Sequence, residues 1–360
     1  MTEPQLRVWA PGRVNLIGEH TDYSGGLVLP IAIQYGIRLA AAPGEREITL
    51  VSEGHGKAET VAADGSGAGA EGWARYVQAV AAELDDAGRP AVGLTGTISS
   101  DLPSGAGLSS SAALEVALAL ALCAVADFEL DPLELALLCQ RAELRAVGVP
   151  CGILDQAACL LGSGDRAILL DCGSLEHRLV RVPPDAALVI VDSGVTRSLE
   201  NTAYAERRSQ LEHALRSVGH ARSANLDASV LEGLDDISTR RLRHVFTENE
   251  RVRRFAAALE GGELAMAGEL LRESHASLRD DYEVSIPELD LLVELAVEAG
   301  ALGARLLGGG FGGSVLVLAH ATHAEEVGDV IAGRYRQRTR TGGEALLVRA
   351  SPGASCSWLD

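Results

Sequence analysis

Residues 12–30, GRVNLIGEHTDYSGGLVLP, crowd Arg13, Glu19, His20, Thr21 and Asp22 onto a turn bounded by glycines. So dense a set of donors and acceptors suits a polyhydroxylated ligand, because every hydroxyl that is buried must be paired. Val14, Leu16 and Ile17 are apolar enough to hold this segment inside a cleft, which argues against a merely polar surface loop. Residues 102–115, LPSGAGLSSSAALE, suggest a different ligand. Gly105 and Gly107 let backbone come close to a bound group. Ser109, Ser110 and Ser111 then open an apolar helix whose free N–H groups and positive end suit an anion. Their hydroxyls can reach phosphate oxygens or Mg²⁺. A serine N-cap is common, but three consecutive serines after two glycines exceed what capping requires. The Walker signature G-x-x-x-x-G-K-[ST] is absent.

Residues 307–318, LGGGFGGSVLVL, contain G-x-G-x-x-G at Gly308, Gly310 and Gly313. A dinucleotide fingerprint needs a strand before it and a helix after it. Here an apolar strand follows, so that reading is rejected, and the glycines are expected to pack closely against the nucleotide loop or the sugar. Two acids lie between these motifs. Glu143 sits in the helical stretch QRAELRAVG, and Asp155 in CGILDQAA. Ile153, Leu154, Ala157 and Ala158 surround Asp155 with an apolar setting that suits a catalytic base better than a surface charge.

The elements that must position these residues alternate in the first half. LRVWAPG reads as a strand entering a loop, and GLVLPIAIQYGIRLAAAP as strand material interrupted by Pro30 and Gly36. ITLVSE and GLTGTISS are further strands, residues 59–71 a loose surface loop, and residues 73–86 a helix. Residues 109–126 are apolar almost all round and form a buried helix. Two more helices cover residues 132–146 and 152–161. ALVIVDSG opens the second half as a strand, followed by long charged helices over 206–219, 240–260 and 263–278 and a closing strand SVLVLA. A boundary near residue 180 divides the chain into domains 1–180 and 181–360.

At 360 residues and 47% hydrophobic composition, the chain can bury a large interior, and two packed domains are expected. The net charge of −19 opposes binding to nucleic acid or an anionic membrane. A phosphorylated ligand would then be held by backbone N–H groups and a metal. The six cysteines form no C-x-x-C pair and read as reduced thiols. The first residues hold no apolar signal core, and no apolar run reaches the roughly 18 residues that span a bilayer. A soluble, cytoplasmic protein is expected.

GRVNLIGEHTDY, GAGLSSSAALE, CGILDQ and LGGGFGG, in this order, resemble the galactokinase family within the galactokinase, homoserine kinase, mevalonate kinase and phosphomevalonate kinase superfamily. SHASLRDDYEVSIPELD, residues 274–290, strengthens the resemblance, which covers nearly the whole chain. It implies an α+β fold of two domains with mixed and antiparallel sheets and an active-site cleft between them. It further implies ATP- and Mg²⁺-dependent phosphorylation of galactose at its anomeric hydroxyl, by a monomer or weak dimer. By that resemblance Asp155 corresponds to the catalytic base and Arg13 to its positively charged neighbour. Glu19, His20, Thr21, Asp22, Gly152 and Tyr204 match the sugar-binding positions. Gly105, Ala106, Gly107, Leu108, Ser109, Ser110 and Ser111 match the ATP phosphate loop, and Ser111 and Glu143 the magnesium ligands. Ser24 stands where Asn is usual, Leu154 where Met is usual, and Leu144 where many relatives have His. A kinase for N-acetylgalactosamine or arabinose, or a non-catalytic galactose sensor, is the alternative.

Overall fold

The computed structural model describes residues 3–54, 56–103, 105, 107–196, 200–219, 222–224, 226 and 228–359. Its first half runs β1 (Leu6–Asn15), β2 (Leu27–Val28), β3 (Pro30–Pro43), β4 (Glu47–Ser52), β5 (Ala58–Ala62), α1 (Ala74–Asp86), β6 (Leu94–Ser100), α2 (Ser110–Val125), α3 (Pro132–Val147) and α4 (Leu154–Leu161). There follow β7 (Arg166–Asp171), β8 (His177–Arg181), β9 (Ala186–Asp192), α5 (Glu200–Ser217), α6 (Asp236–Gly261), α7 (Leu264–Asp280) and α8 (Pro287–Glu298). The chain closes with β10 (Gly303–Leu307), β11 (Ser314–His320), α9 (Ala324–Thr339), β12 (Ala345–Val348) and β13 (Ser355–Trp358).

A six-stranded sheet takes the order β13-β1-β3-β6-β4-β5, with β4 and β6 parallel and its other pairs antiparallel. The last strand of the chain thus lies beside the first. A four-stranded antiparallel sheet, β10-β11-β9-β12, and a small sheet, β2-β7-β8, complete the α+β architecture. The first core lies between the large sheet and α1, α2 and α3. Helix α2 is buried on nearly every side, as its all-round apolarity predicts. A second core joins Val14, Leu16 and Ile17 to α6, α7, β9 and β11, so the polar turn after β1 is anchored on both sides.

Two local expectations change. Residues 59–71 are not loop throughout, because Ala58–Ala62 pairs with β4 as an edge strand. Its outward polar residues disguise it, as is common where an edge faces water. Strand β3 also runs unbroken through Gly36. A Cβ there would sit 2.4 Å from the Ala10 carbonyl oxygen, so the glycine permits close approach to β1 and does not end the strand. Strands β7, β8, β10, β12 and β13 and helices α8 and α9 add to the elements expected. Strand β10 also precedes the glycine cluster, which is therefore a hairpin turn between β10 and β11 with no helix after it.

Candidate active site

Two adjoining cavities, of about 480 and 450 Å³, share Arg13, Glu143 and Asp155 in their walls. The first holds Glu19, His20, Asp22, Gly152 and Tyr204; the second holds Gly105, Gly107 and Ser109, Ser110 and Ser111. The sugar-like and anion-like motifs therefore meet at one pair of charged side chains.

Arg13 reaches that point because a register shift between Pro11 and Arg13 turns β1 toward the serine loop. Its backbone N–H donates to the Leu108 carbonyl at 3.1 Å, and Nη1 donates to the Gly107 carbonyl at 2.8 Å. Nε and Nη2 donate to the two Asp155 carboxylate oxygens at 2.5 and 2.7 Å. Burial opposes the charge on Arg13, but Asp155 outweighs it, so the guanidinium is held ionised more firmly than usual. The Ser109 hydroxyl also donates to Asp155. Ser109 precedes α2 in the left-handed region (φ 57°) and its side chain makes no cap bond, so capping does not explain it.

Ser111, in the first turn of α2, donates to Glu143 Oε1 at 2.9 Å. Glu143 is carried by α3, whose start is set by Asp131 and Glu134 in a capping box with Pro132 following. Gln156 donates to Glu143 Oε2 at 2.8 Å, and the Cys151 thiol approaches the same oxygen. Burial, reinforced by Asp155, pushes the Glu143 carboxyl above its usual range. Among the described residues no three His, Cys, Asp or Glu side chains converge as a metal cage. A hydroxyl and a carboxylate alone fit Mg²⁺ that is held mostly by phosphate oxygens and water.

On the other side, Glu19 Oε1 accepts from Arg305 Nη1 at 3.0 Å and from the Gly308 N–H at 2.9 Å. Arg305 is fully buried and also donates to the carbonyls of Asn15, Leu16 and Leu306. His20 (φ 62°) contacts the Tyr23 hydroxyl through Nδ1 at 2.9 Å, and that hydroxyl meets Tyr282 at 2.7 Å. Burial and then His244 lower His20 to about 3, which leaves it neutral. Asp22 rises to about 7, through burial first and then Asp155 and Glu19. Its carboxylate lies against Gly152, where a Cβ would fall 1.8 Å from Asp22 Oδ2. The Tyr204 ring comes from α5 and lies 5.6 Å from His20.

Thr21 stands apart from the others. It is fully buried, and its hydroxyl is shared between the Gly18 and Leu27 carbonyls at 2.8 and 2.7 Å, which closes the turn. Leu108 is likewise buried, and Ala106 lies outside the described residues. Gly308 and Gly309 line the first cavity. Gly310 and Gly312 instead approach the Val284 and Val195 carbonyls, where a Cβ would come within 2.2 and 2.6 Å. The sequence reading missed Arg305, Gln156, Tyr23 and Tyr282. Arg305 had a signal, since one charge in the apolar strand GARLL must find buried partners.

The chain is similar to known proteins over nearly its whole length. The galactokinase galactose-binding signature matches residues 2–43, the GHMP kinases N terminal domain residues 75–163 and the GHMP kinases C terminal region residues 255–337. The galactokinase of Thermococcus kodakarensis is 41% identical, covering 97% of this chain and 99% of the relative. That of Roseiflexus sp. (strain RS-1) is 40% identical, covering 97% and 92%. The crystal structure of Lactococcus lactis galactokinase complexed with galactose superposes with a TM-score of 0.92 at 33% identity, covering 97% and 95%. A mevalonate kinase at 19% identity and TM-score 0.69 shares the fold. The chain belongs to the galactokinase family.

Proposed function

We propose that the protein is a galactokinase, transferring the γ-phosphoryl group of ATP to the anomeric hydroxyl of galactose to give galactose 1-phosphate and ADP. The observation that carries this reading is the Arg13–Asp155 pair at the junction of the two cavities. In this reaction the Asp155 carboxylate accepts the hydroxyl proton as the sugar oxygen bonds to phosphorus and the bond to the ADP oxygen breaks. Arg13 holds the Asp155 carboxylate in a bidentate grip and offsets charge on the transferring group. The free N–H groups of the serine loop and the start of α2 hold the phosphates. Ser111 and Glu143 would hold Mg²⁺, which neutralises charge on the phosphate oxygens. Glu19, His20, Asp22, Gly152 and Tyr204 bind the sugar hydroxyls, and Thr21 shapes their turn. No described helix is long and apolar enough to cross a membrane, and we assign a cytoplasmic monomer or weak dimer.

ADP release measured over a panel of monosaccharides tests the proposal. Galactose should exceed glucose by a factor of about 10⁴, because the wrong epimer leaves buried partners unpaired. Preference for N-acetylgalactosamine or arabinose would change the substrate. Galactose binding without ADP release would make the protein a sensor.

A further inference from the structure

Glu115 lies on α2 one turn beyond Ser111 and is wholly buried. Its Oε2 accepts from Gln156 Nε2 at 3.1 Å, while Oε1 has no partner. Gln156 is also wholly buried. Its Nε2 donates to Glu115 Oε2 and to Glu143 Oε2, and its Oε1 has no donor. Two acceptor atoms, one on each side of the same N–H···O contact, are thus left unpaired in the interior, where lost hydrogen bonds are costly. Turning the Gln156 amide over does not repair this. It would aim a carbonyl oxygen at two carboxyl groups and break the bond to Glu143.

A single proton resolves both. With hydrogen on Glu115 Oε1, the acid donates to Gln156 Oε1 while Oε2 goes on accepting from Nε2, which closes an acid–amide ring. We propose that Glu115 is a neutral carboxylic acid that, through Gln156, positions Glu143 at the nucleotide cavity. Locked in the ring, Gln156 has its second N–H fixed on Glu143 Oε2, and Glu143 Oε1 is left toward Ser111 and the cavity. The surroundings favour this protonation: burial, then Glu143, raises Glu115 to about 10. The arrangement also keeps a third negative charge away from Glu143 and Asp155. Glu115 is a positioning residue, and this role rests on the reading of Glu143 as a magnesium ligand.

Infrared difference spectra of wild type against Glu115→Gln at neutral pH test the proton directly, without nucleotide or metal. The wild type should show a protonated-carboxyl C=O band that the variant lacks. A difference confined to carboxylate bands would overturn the proposal. Magnesium titration in the presence of ADP tests the positioning. Glu115→Leu, checked for folding by circular dichroism, should raise the half-saturating magnesium concentration about 10-fold or more, the usual loss for a partner behind a metal ligand. Galactose affinity in that variant should stay at the wild-type value. Glu115→Gln supplies both a donor and an acceptor to Gln156 and should rescue the magnesium response. Equal losses in both variants would overturn the positioning role. A wild type indifferent to magnesium would overturn that role together with the functional reading beneath it, and the infrared band would still decide the proton.

Discussion

Arg13 grips both oxygens of Asp155 in a bidentate fork, 142 residues away along the chain, while its third arm holds the Gly107 carbonyl of the serine loop. Asp155, the proposed base, and the serine loop are therefore fixed relative to one another by a single side chain. Asp155→Asn should cut turnover by roughly 10²–10⁴-fold while both substrates still bind. Arg13→Lys keeps the charge but loses the planar fork, and should show a smaller, clear loss. Single-turnover kinetics on the folded variants measures both. Near-normal phosphoryl transfer by Asp155→Asn would remove it as the base.

Gly152 has no room for a side chain because the Asp22 carboxylate occupies the space. Gly152→Ala should therefore displace Asp22 and weaken galactose binding by at least tenfold, while nucleotide binding persists. Calorimetry with each substrate separates the two effects. Unchanged galactose affinity would show that the contact between these residues is dispensable.

Asp22, raised to about 7 in the folded protein from 3.8, binds its proton more tightly when folded. Its contribution to stability is present below 3.8 and is lost as pH rises through about 7. Sugar hydroxyls donate to the ionised form, so galactose affinity should increase as pH rises through the same region. Asp22→Asn should abolish that pH dependence. A wild-type dissociation constant that is flat across this range would refute the linkage.

Ser111→Ala and Glu143→Ala should impair magnesium-dependent use of ATP and leave galactose binding almost intact. The metal neutralises phosphate charge and touches no sugar hydroxyl in the proposed scheme. Loss of galactose affinity in either variant, read by calorimetry, would contradict this division of roles.

Much of this site is legible in the sequence because its chemistry is local. The turn carrying Glu19, His20 and Asp22, the serine-opened helix and the acid in an apolar helix each announce themselves within a few residues. The all-round apolarity of residues 109–126 likewise determines that α2 is buried, since such a helix has no face to offer water. What the tertiary structure decided is which distant groups meet, and how polar atoms are satisfied once water is excluded. Thr21 shares the local motif yet turns its hydroxyl to backbone carbonyls. Ser109 belongs to the serine loop yet bonds to Asp155. Arg305 braces Glu19 across 286 residues, and Gln156 links Glu115 to Glu143. Period and composition describe neighbours along the chain, whereas a buried donor takes whichever acceptor folding brings within about 3 Å.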